Sequence, residues 1–521
     1  MKTLRILSYL IIMMLATLSL VACEKDDTDF SSIINSSSAV ATADDDDEAT
    51  DGTNDDTDDN SDDSDSSNDS GTNTSSTTSY AVSIEYSGSS ATVTVADDVA
   101  SYLTVSKDGA KVSIVQSSSL ANEVTYTLSG SSSNGMFYMD GDYKATVVLN
   151  GLTLTNANGP AINIENGKRI AVVLSDGTTN SLTDSSSGDH KGAFMVNGHT
   201  EFSGSGTLSM VGKMKHAFWG DEYVVFKKSL GTIKVTSAVG DGFNVNQYIE
   251  MNGGTITITG VGDEGIQSSI EDGTDSDDTG SFFMNGGTLT ITTTAGKGIK
   301  AEGDIEINDG EISINASGSE GMESGAATTV NGGKITVQSY DDAINSQADL
   351  VIAGGEVFAK SSNNDGLDAN YNVRISGGTT VAVGSKAPEC GIDANEESNY
   401  TVYFTGGNLF AVGGSNSTPS NSSSTQGYIT SSGNVSANTT VTISSSSSTL
   451  ATFTIPFSSN SSATSIIATA SGMTAGSSYT LKVGSNSSSA TAVQYGSGGG
   501  PGGNTGGQPN NNQGGPGGNK P

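Results

Sequence analysis

Cysteine is nearly absent: the 521 residues hold two, Cys23 and Cys390. No disulfide framework is therefore possible in the chain beyond Cys23. Cys390 stands beside Gly391 with no histidine nearby in sequence, so a structural thiol is expected there and not a nucleophile. Histidine occurs three times and tryptophan once. His190 and His199 have no metal-ligand spacing, and no Ser-His-Asp set can be assembled. Basic residues number 22 against 58 acidic ones, for a formal charge of −36, so the electrostatic footprint of a nucleic-acid binder is missing. Charged residues are 15% and aromatic residues 6%, which excludes a coiled coil. No apolar stripe of period 3.6 crosses the middle of the chain, which excludes βαβ units and leucine-rich repeats.

Glycine, by contrast, is abundant at 67 residues, and part of it is periodic. The segment MNGGTITITGVGDEGI from Met251 recurs as NGGTLTITTTAGKGIK from Asn285, NDGEISINASGSEGME from Asn308 and NGGKITVQSYDDAIN from Asn331. Weaker copies start at Ala353 and Ser376. The second glycines, Gly254, Gly287, Gly310, Gly333, Gly355, Gly378 and Gly407, are spaced by 33, 23, 23, 22, 23 and 29 residues. The two long intervals hold insertions, one of them the acidic loop 272–278. A fixed period in this range marks a stacked repeat. Within a copy, apolar residues alternate with threonine, as in Ile256 and Ile258 between Thr255 and Thr257, so one face of a strand is buried. A second short strand precedes each Gly-Gly, and a third apolar position follows each acidic turn. Gly-Gly and Asn-Gly supply the positive φ of sharp corners. Three strands and three corners per 23 residues predict one coil of an all-β, right-handed parallel β-helix, with coils about 4.8 Å apart.

Residues 1–22 have a basic start, an apolar run and Leu20-Val21-Ala22 before Cys23, which reads as a lipoprotein signal peptide with Cys23 lipidated. The sequence after Cys23 resembles the acidic export signal of Bacteroidetes lipoproteins. A lipid anchor at Cys23 in the outer membrane, with the protein exposed on the cell surface, is therefore expected. Residues 23–79 form an acidic linker: 18 Asp and Glu lie between Glu24 and Asp69. Such a run cannot bury enough surface to order itself. Residues 80–142 predict an N-terminal antiparallel β cap, 143–414 the solenoid, 425–495 a small C-terminal β element and 496–521 a disordered Gly/Pro/Asn tail.

The segment ATVVLNGLTLTNANGPAINIENGKRIAVVLSDGTTNSLTD from Ala145, followed by GSGTLSMVG, NGGTITITG and turns such as GDEGI, resembles a secreted family of carbohydrate-binding parallel β-helices. That family is related to the pectate-lyase-like superfamily. The resemblance covers roughly 83–413 and implies a binder of calcium and of plant polysaccharide, cellulose-like or polygalacturonate.

The residues themselves offer candidate chemistry at the acidic corners. Asp241, Asp263, Glu264, Glu320, Asp341, Asp342 and Asp365 fall at equivalent corners, and Glu323, Asp368 and Asp393 lie three residues beyond theirs. Carboxylates stacked at the coil spacing repel, and a divalent cation with 6–8 oxygen ligands removes that cost. Calcium is expected chiefly between the coils of Asp341/Asp342 and Asp365/Asp368, with Asp393 next along. A solvated edge of turn-forming Asp is the plainer alternative. Lys297 and Lys300 interrupt the acids. They read either as ion bridges or, as a rival, as the base of a uronate polysaccharide lyase. Trp219, Phe358 and Phe410 are candidate sugar-stacking rings. Val381 lies between the two phenylalanines, and cover of this stripe by the C-terminal element is favoured over stacking. Trp219 reads equally as a sugar platform or as a plug for its coil. An acidic surface suits cations or neutral ligands better than polyanions, unless a metal bridges them. The expectation is a surface-exposed, monomeric polysaccharide binder; a non-catalytic spacer remains open.

Overall fold

The computed structural model describes residues 80–271 and 276–496. The signal peptide with Cys23, the acidic linker and almost all of the Gly/Pro/Asn tail lie outside these residues. The described chain is nearly all strand, wound into a parallel β-solenoid of about 12 coils.

One coil shows how the sequence builds it. Ile299–Ala301, Ile305–Ile307 and Glu311–Ala316 are three strands on three faces. In the two short strands only the central residue looks outward, and in the longer one Ile312, Ile314 and Ala316 point in. Each strand pairs in parallel with its counterpart one coil on: Ile299 with Met322, Ile305 with Thr328, and Ile312 with Ile335. We call the three faces the acid face, the short face and the long face, in that order. The core is the stack of inward aliphatic and phenylalanine side chains, fully buried along the whole length.

The corner between short and long faces carries the repeated Gly-Gly. Each second glycine named above has φ between +66° and +101°. A side chain is excluded there twice over. At Gly355, with φ of +74°, a Cβ would stand 2.6 Å from the Gly333 carbonyl oxygen of the preceding coil. Beside it runs an asparagine ladder, in which Asn285, Asn308 and Asn331 each donate to the asparagine one coil back at 3.0, 2.9 and 2.8 Å.

Parallel stacking begins before Tyr143. Val124–Ser132 pairs in parallel with both Ala81–Ser87 and Ala145–Thr155, and Lys111–Gln116 pairs in parallel with Met136–Asp140. The antiparallel part of the cap is two hairpins, Ala81–Ser87 with Ser90–Val95 and Leu103–Asp108 with Lys111–Gln116. Alternation of period two is common to both pairing directions, so it could not place this boundary. Between the hairpins the short helix Asp97–Ala100 buries Val99 in the core.

At the other end, Ser465–Thr469 pairs antiparallel with the last long-face strand, Asn408–Gly413, and with Tyr428–Ser432. A four-stranded antiparallel sheet, Thr439–Ser444, Thr449–Ile455, Ser478–Val483 and Asn486–Thr491, follows. Its core includes Val381, Val383, Phe410 and Val412 of the solenoid. Phe410 is fully buried, and its ring lies 6.3 Å from that of Phe453. Phe358 is half-buried against the same cluster. The apolar stripe is thus covered by the C-terminal element, which leaves Phe410 no ring face for a sugar.

Candidate functional site

The corner between long and acid faces stacks one equivalent residue per coil. From His216 the column runs Asp241, Glu264, Lys297, Glu320, Asp342, Asp365 and Cys390. The amide after each residue donates to the carbonyl of the next, as from Gly265 to Lys297 at 2.9 Å and from Ala343 to Asp365 at 3.0 Å. Three residues on, the outward position of each acid-face strand forms a second column: Trp219, Asn244, Gln267, Lys300, Glu323, Asn345, Asp368 and Asp393. The anticipated acids therefore do lie in register. What differs between coils is the partner each one meets.

Asp241 is saturated. Its Oδ1 accepts from the Glu264 amide at 3.1 Å, and its Oδ2 lies 2.7 Å from Asn244 Nδ2 and 3.2 Å from His216 Nδ1. Burial opposes its ionisation, but His216 and Asn244 hold its pKa below the usual value. Glu264 is pushed up to about 7 by burial, reinforced by Asp263 and Asp241 and opposed by Lys300. Asp263 is exposed, although one oxygen from each of Asp241, Asp263 and Glu264 lies within 4.8 Å of the others.

Lys297 joins Glu320, at 3.2 Å, and Glu323 in one ion-paired cluster. The bridge reading accounts for this coil. The rival general-base role would require Lys297 to leave both carboxylates. Glu320 is held below its usual pKa: burial opposes ionisation, while Ser319 and Lys297 favour it.

In the next coil Asn345 donates to Asp342 Oδ2 at 3.0 Å, and the Asp365 amide donates to Asp342 Oδ1 at 2.9 Å. Burial still raises Asp342 to about 6. Asp341, half-buried one residue earlier, accepts from Asn364 at 2.8 Å.

The following coil, like that of Glu320 and Glu323, holds an acid in both columns, but no ion pair with a lysine is seen for either acid among the described residues. Asp365, Asp368 and Asp393 bring one oxygen each within 4.8 Å of one another. Asp365 Oδ1 accepts from the Cys390 amide, Asp368 Oδ2 from Asn345 at 3.0 Å, and Asp393 Oδ1 from Ser417 Oγ at 2.8 Å and from the Cys390 thiol at 3.6 Å. The lysines of the ladder, Lys297 and Lys300, lie three coils back, and Lys297 is already paired. Burial is the first cause that pushes Asp365 up to about 8 and Asp368 up to about 7, and neighbouring carboxylates add to both. Asp393 is raised for the same first reason. Three carboxylates and adjoining main chain fit a hard cation that takes oxygen ligands and completes its shell with water. The Asp241 group fits it less well, because both oxygens of Asp241 already accept hydrogen bonds. The best-fitting group thus sits one coil further along than the centre anticipated from sequence: it takes in Asp393 and leaves out Asp342, whose two oxygens accept from Asn345 and the Asp365 amide.

Burial also pushes the Cys390 thiol up, in keeping with a structural role. Trp219 is 5% exposed, between Met195 and Asn244 in the ladder, with Lys191 Nζ 3.5 Å above its ring. The ring plugs its coil and is not an open platform. Two groups escaped the sequence reading. Buried Asp184 holds His190 Nε2 at 2.9 Å and accepts from the Met214 amide at 3.1 Å. Along the edge of the short face, His199, Tyr223 and Tyr248 stack with centroids 4.2 and 4.7 Å apart. The signal was present: Tyr223 and Tyr248 each precede a short-face strand, one coil apart.

Residues 108–366, a little under half of the chain, match the model of a family described as "carbohydrate-binding domain-containing protein". One solved structure, described as the "polysaccharide lyase-like protein from C. thermocellum, gadolinium derivative", is 21% identical. The alignment covers 49% of this chain and 93% of that one at a TM-score of 0.39. No curated protein matches.

Proposed function

We propose that this chain is a polysaccharide-binding protein that holds calcium at Asp365, Asp368 and Asp393 and engages uronate-containing glycan through it. The single observation that carries the metal is the unneutralised pairing of acid on acid in that coil. Earlier in the ladder Asp241 has His216 beside it, and Glu320 and Glu323 have Lys297, whereas Asp365, Asp368 and Asp393 have only neutral donors. The family match over 108–366 supports carbohydrate as the ligand class. Bound calcium would supply the positive charge on which a uronate carboxylate can close. The chain's own residues do the positioning: Asn345 orients Asp368, the Cys390 amide fixes Asp365, and Ser417 fixes Asp393. We read the role as binding and not cleavage: Lys297 is tied into its ion-paired cluster, and Lys300, the other lysine of the lyase reading, stands three coils from Asp365 and Asp368. Lipidation at Cys23 would place the solenoid at the outer surface of the outer membrane.

The test is thermal melting of the full chain in EDTA and then in millimolar calcium, followed by retention on insoluble polygalacturonate. A ligand that binds only the native state raises the midpoint, by about 2.7 kcal/mol of stability at a hundredfold excess over its Kd. The expected result is a rise in midpoint and calcium-dependent retention, both lost in Asp365→Ala/Asp368→Ala. An unchanged midpoint would refute the metal site.

A further inference from the structure

The short face carries a concavity of about 390 Å³, lined by Tyr248, Glu250, Phe283, Asn285 and Asn308, with the 276–279 loop as its wall. It is on a different face from the acid ladder. Its floor is unusual for an exposed sheet. The outward column reads Val225, Glu250, Phe283, Glu306 and Thr329, so one aromatic ring stands between two carboxylates. Phe283 is half-buried. It meets Tyr248 edge-to-face, with centroids 6.1 Å apart at 74°, and does not continue the stack. Tyr248 is itself fixed by Tyr223, 4.7 Å away and nearly parallel. The rim is polar and preorganised: Asn285 donates to both Glu250 Oε1 and Asn252 at 3.0 Å, and Asn308 donates to Asn285 at 2.9 Å.

An apolar ring on the floor with convergent amides and carboxylates on the rim is the chemistry that recognises a sugar. The ring takes the apolar face of a pyranose, and the rim takes its hydroxyls. The charge of the site selects among sugars. Glu250 and Glu306 flank the ring, Asp277 stands in the wall, and among the described residues no cation lines the site. A uronate chain would meet like charge on both sides of Phe283, whereas carboxylates are good acceptors for neutral hydroxyls.

We propose that this groove is a calcium-independent subsite for neutral polysaccharide, with Phe283 as its stacking residue and Glu250 as its hydroxyl acceptor and charge filter. The proposal rests on the polysaccharide-binding reading above but not on its metal site.

The test measures retention of the full chain in EDTA on a panel of neutral polysaccharides (glucan, xylan and mannan) and on polygalacturonate with and without calcium. Wild type should be retained on at least one neutral polymer in EDTA. Phe283→Ala, and Phe283→Leu as the variant that keeps apolar bulk, should weaken that binding about tenfold, the loss expected of a central aromatic contact. Both should keep a cooperative melting transition in EDTA, which shows that they are folded. Glu250→Gln should raise affinity for polygalacturonate in EDTA. Neutral binding undiminished in both Phe283 variants would overturn the groove while leaving the polysaccharide reading intact. Binding only to polygalacturonate with calcium would overturn it too. Retention on no polymer under any condition would remove the polysaccharide reading, and the subsite with it.

Discussion

Asp368→Asn is the most informative single change in the acid ladder. One coil earlier, the same position is Asn345, which donates to Asp342 at 3.0 Å. The substitution would give the Asp365 coil the same acid-amide pair. Asp368 is raised from 3.8 to about 7, first by burial and then by the charges of Asp342 and Asp393. Its folded pKa is above its unfolded one, so the native state binds the extra proton. Stability is thus lost as pH rises from about 4 through about 7, and the whole cost is present at pH 8. At 1.36 kcal/mol per pKa unit the cost is on the order of 4 kcal/mol, or about 2 once the three carboxylates share protons. For roughly 400 described residues, the melting midpoint moves about 1 °C per kcal/mol. Without metal, the variant should melt about 2–4 °C above wild type at pH 8, and the two should converge near pH 4. In millimolar calcium at pH 8 the order should reverse, because wild type gains a ligand and the variant has lost one of its carboxylates. The assay is differential scanning calorimetry in EDTA and in calcium across pH 4–8. If the metal-free variant were less stable than wild type at pH 8, the electrostatic argument would be wrong.

Two other changes probe the frame. Lys297→Met keeps the aliphatic stem but strands Glu320 and Glu323, whose side chains are only 18% and 21% exposed. A loss of about 2 kcal/mol at pH 7 is expected, between the surface and buried limits for ion pairs. The loss should shrink towards pH 4 as the acids protonate, and urea midpoints at the two pH values check it. Gly151→Ala and Gly355→Ala form a pair: both glycines have φ near +74°, but the added Cβ meets nothing within 4 Å at Gly151 and backbone at 2.6 Å at Gly355. Gly151→Ala should cost about 1 kcal/mol for the left-handed backbone alone, and Gly355→Ala at least about 2. Equal shifts in melting midpoint would mean that coil contact does not set the requirement for glycine.

The repeat made the solenoid legible because a coil has a fixed circumference: the Gly-Gly spacing in sequence is the perimeter in space. The inward residues, Ile256, Ile258, Leu289, Ile291, Ile312 and Ile314, followed from alternation and are buried. The acid columns followed from the same period. Which acids remain unneutralised did not, because that depends on the pairing of Asn345 with both Asp342 and Asp368, a contact between coils. The short-face aromatics were missed for another reason. His199, Tyr223 and Tyr248 sit on irregular corners, where no alternation marks a side chain as inward or outward.

The ends of the acid ladder explain why it stops where it does. Beyond Cys390, Asn416 takes the Gly391 and Ile392 amides on its Oδ1 at 2.9 and 3.2 Å, and its own amide donates to the Ser465 carbonyl at 3.0 Å. Asn416 therefore satisfies the last coil and ties it to the strand that covers the long face. On the other side, Asn345 closes the Asp342 coil. The acid-on-acid stretch is bounded by an amide at each end and spans two adjacent coils, one spacing of roughly 5 Å. One spacing leaves room for a single cation among the three oxygens, which lie within 4.8 Å of one another. The same C-terminal element that buries Phe410 thus also fixes the far wall of the proposed calcium site. Loss of Ser465–Thr469 would expose an apolar edge and free Asn416, which holds the Gly391 and Ile392 amides just before Asp393, so the proposed calcium site depends on that element.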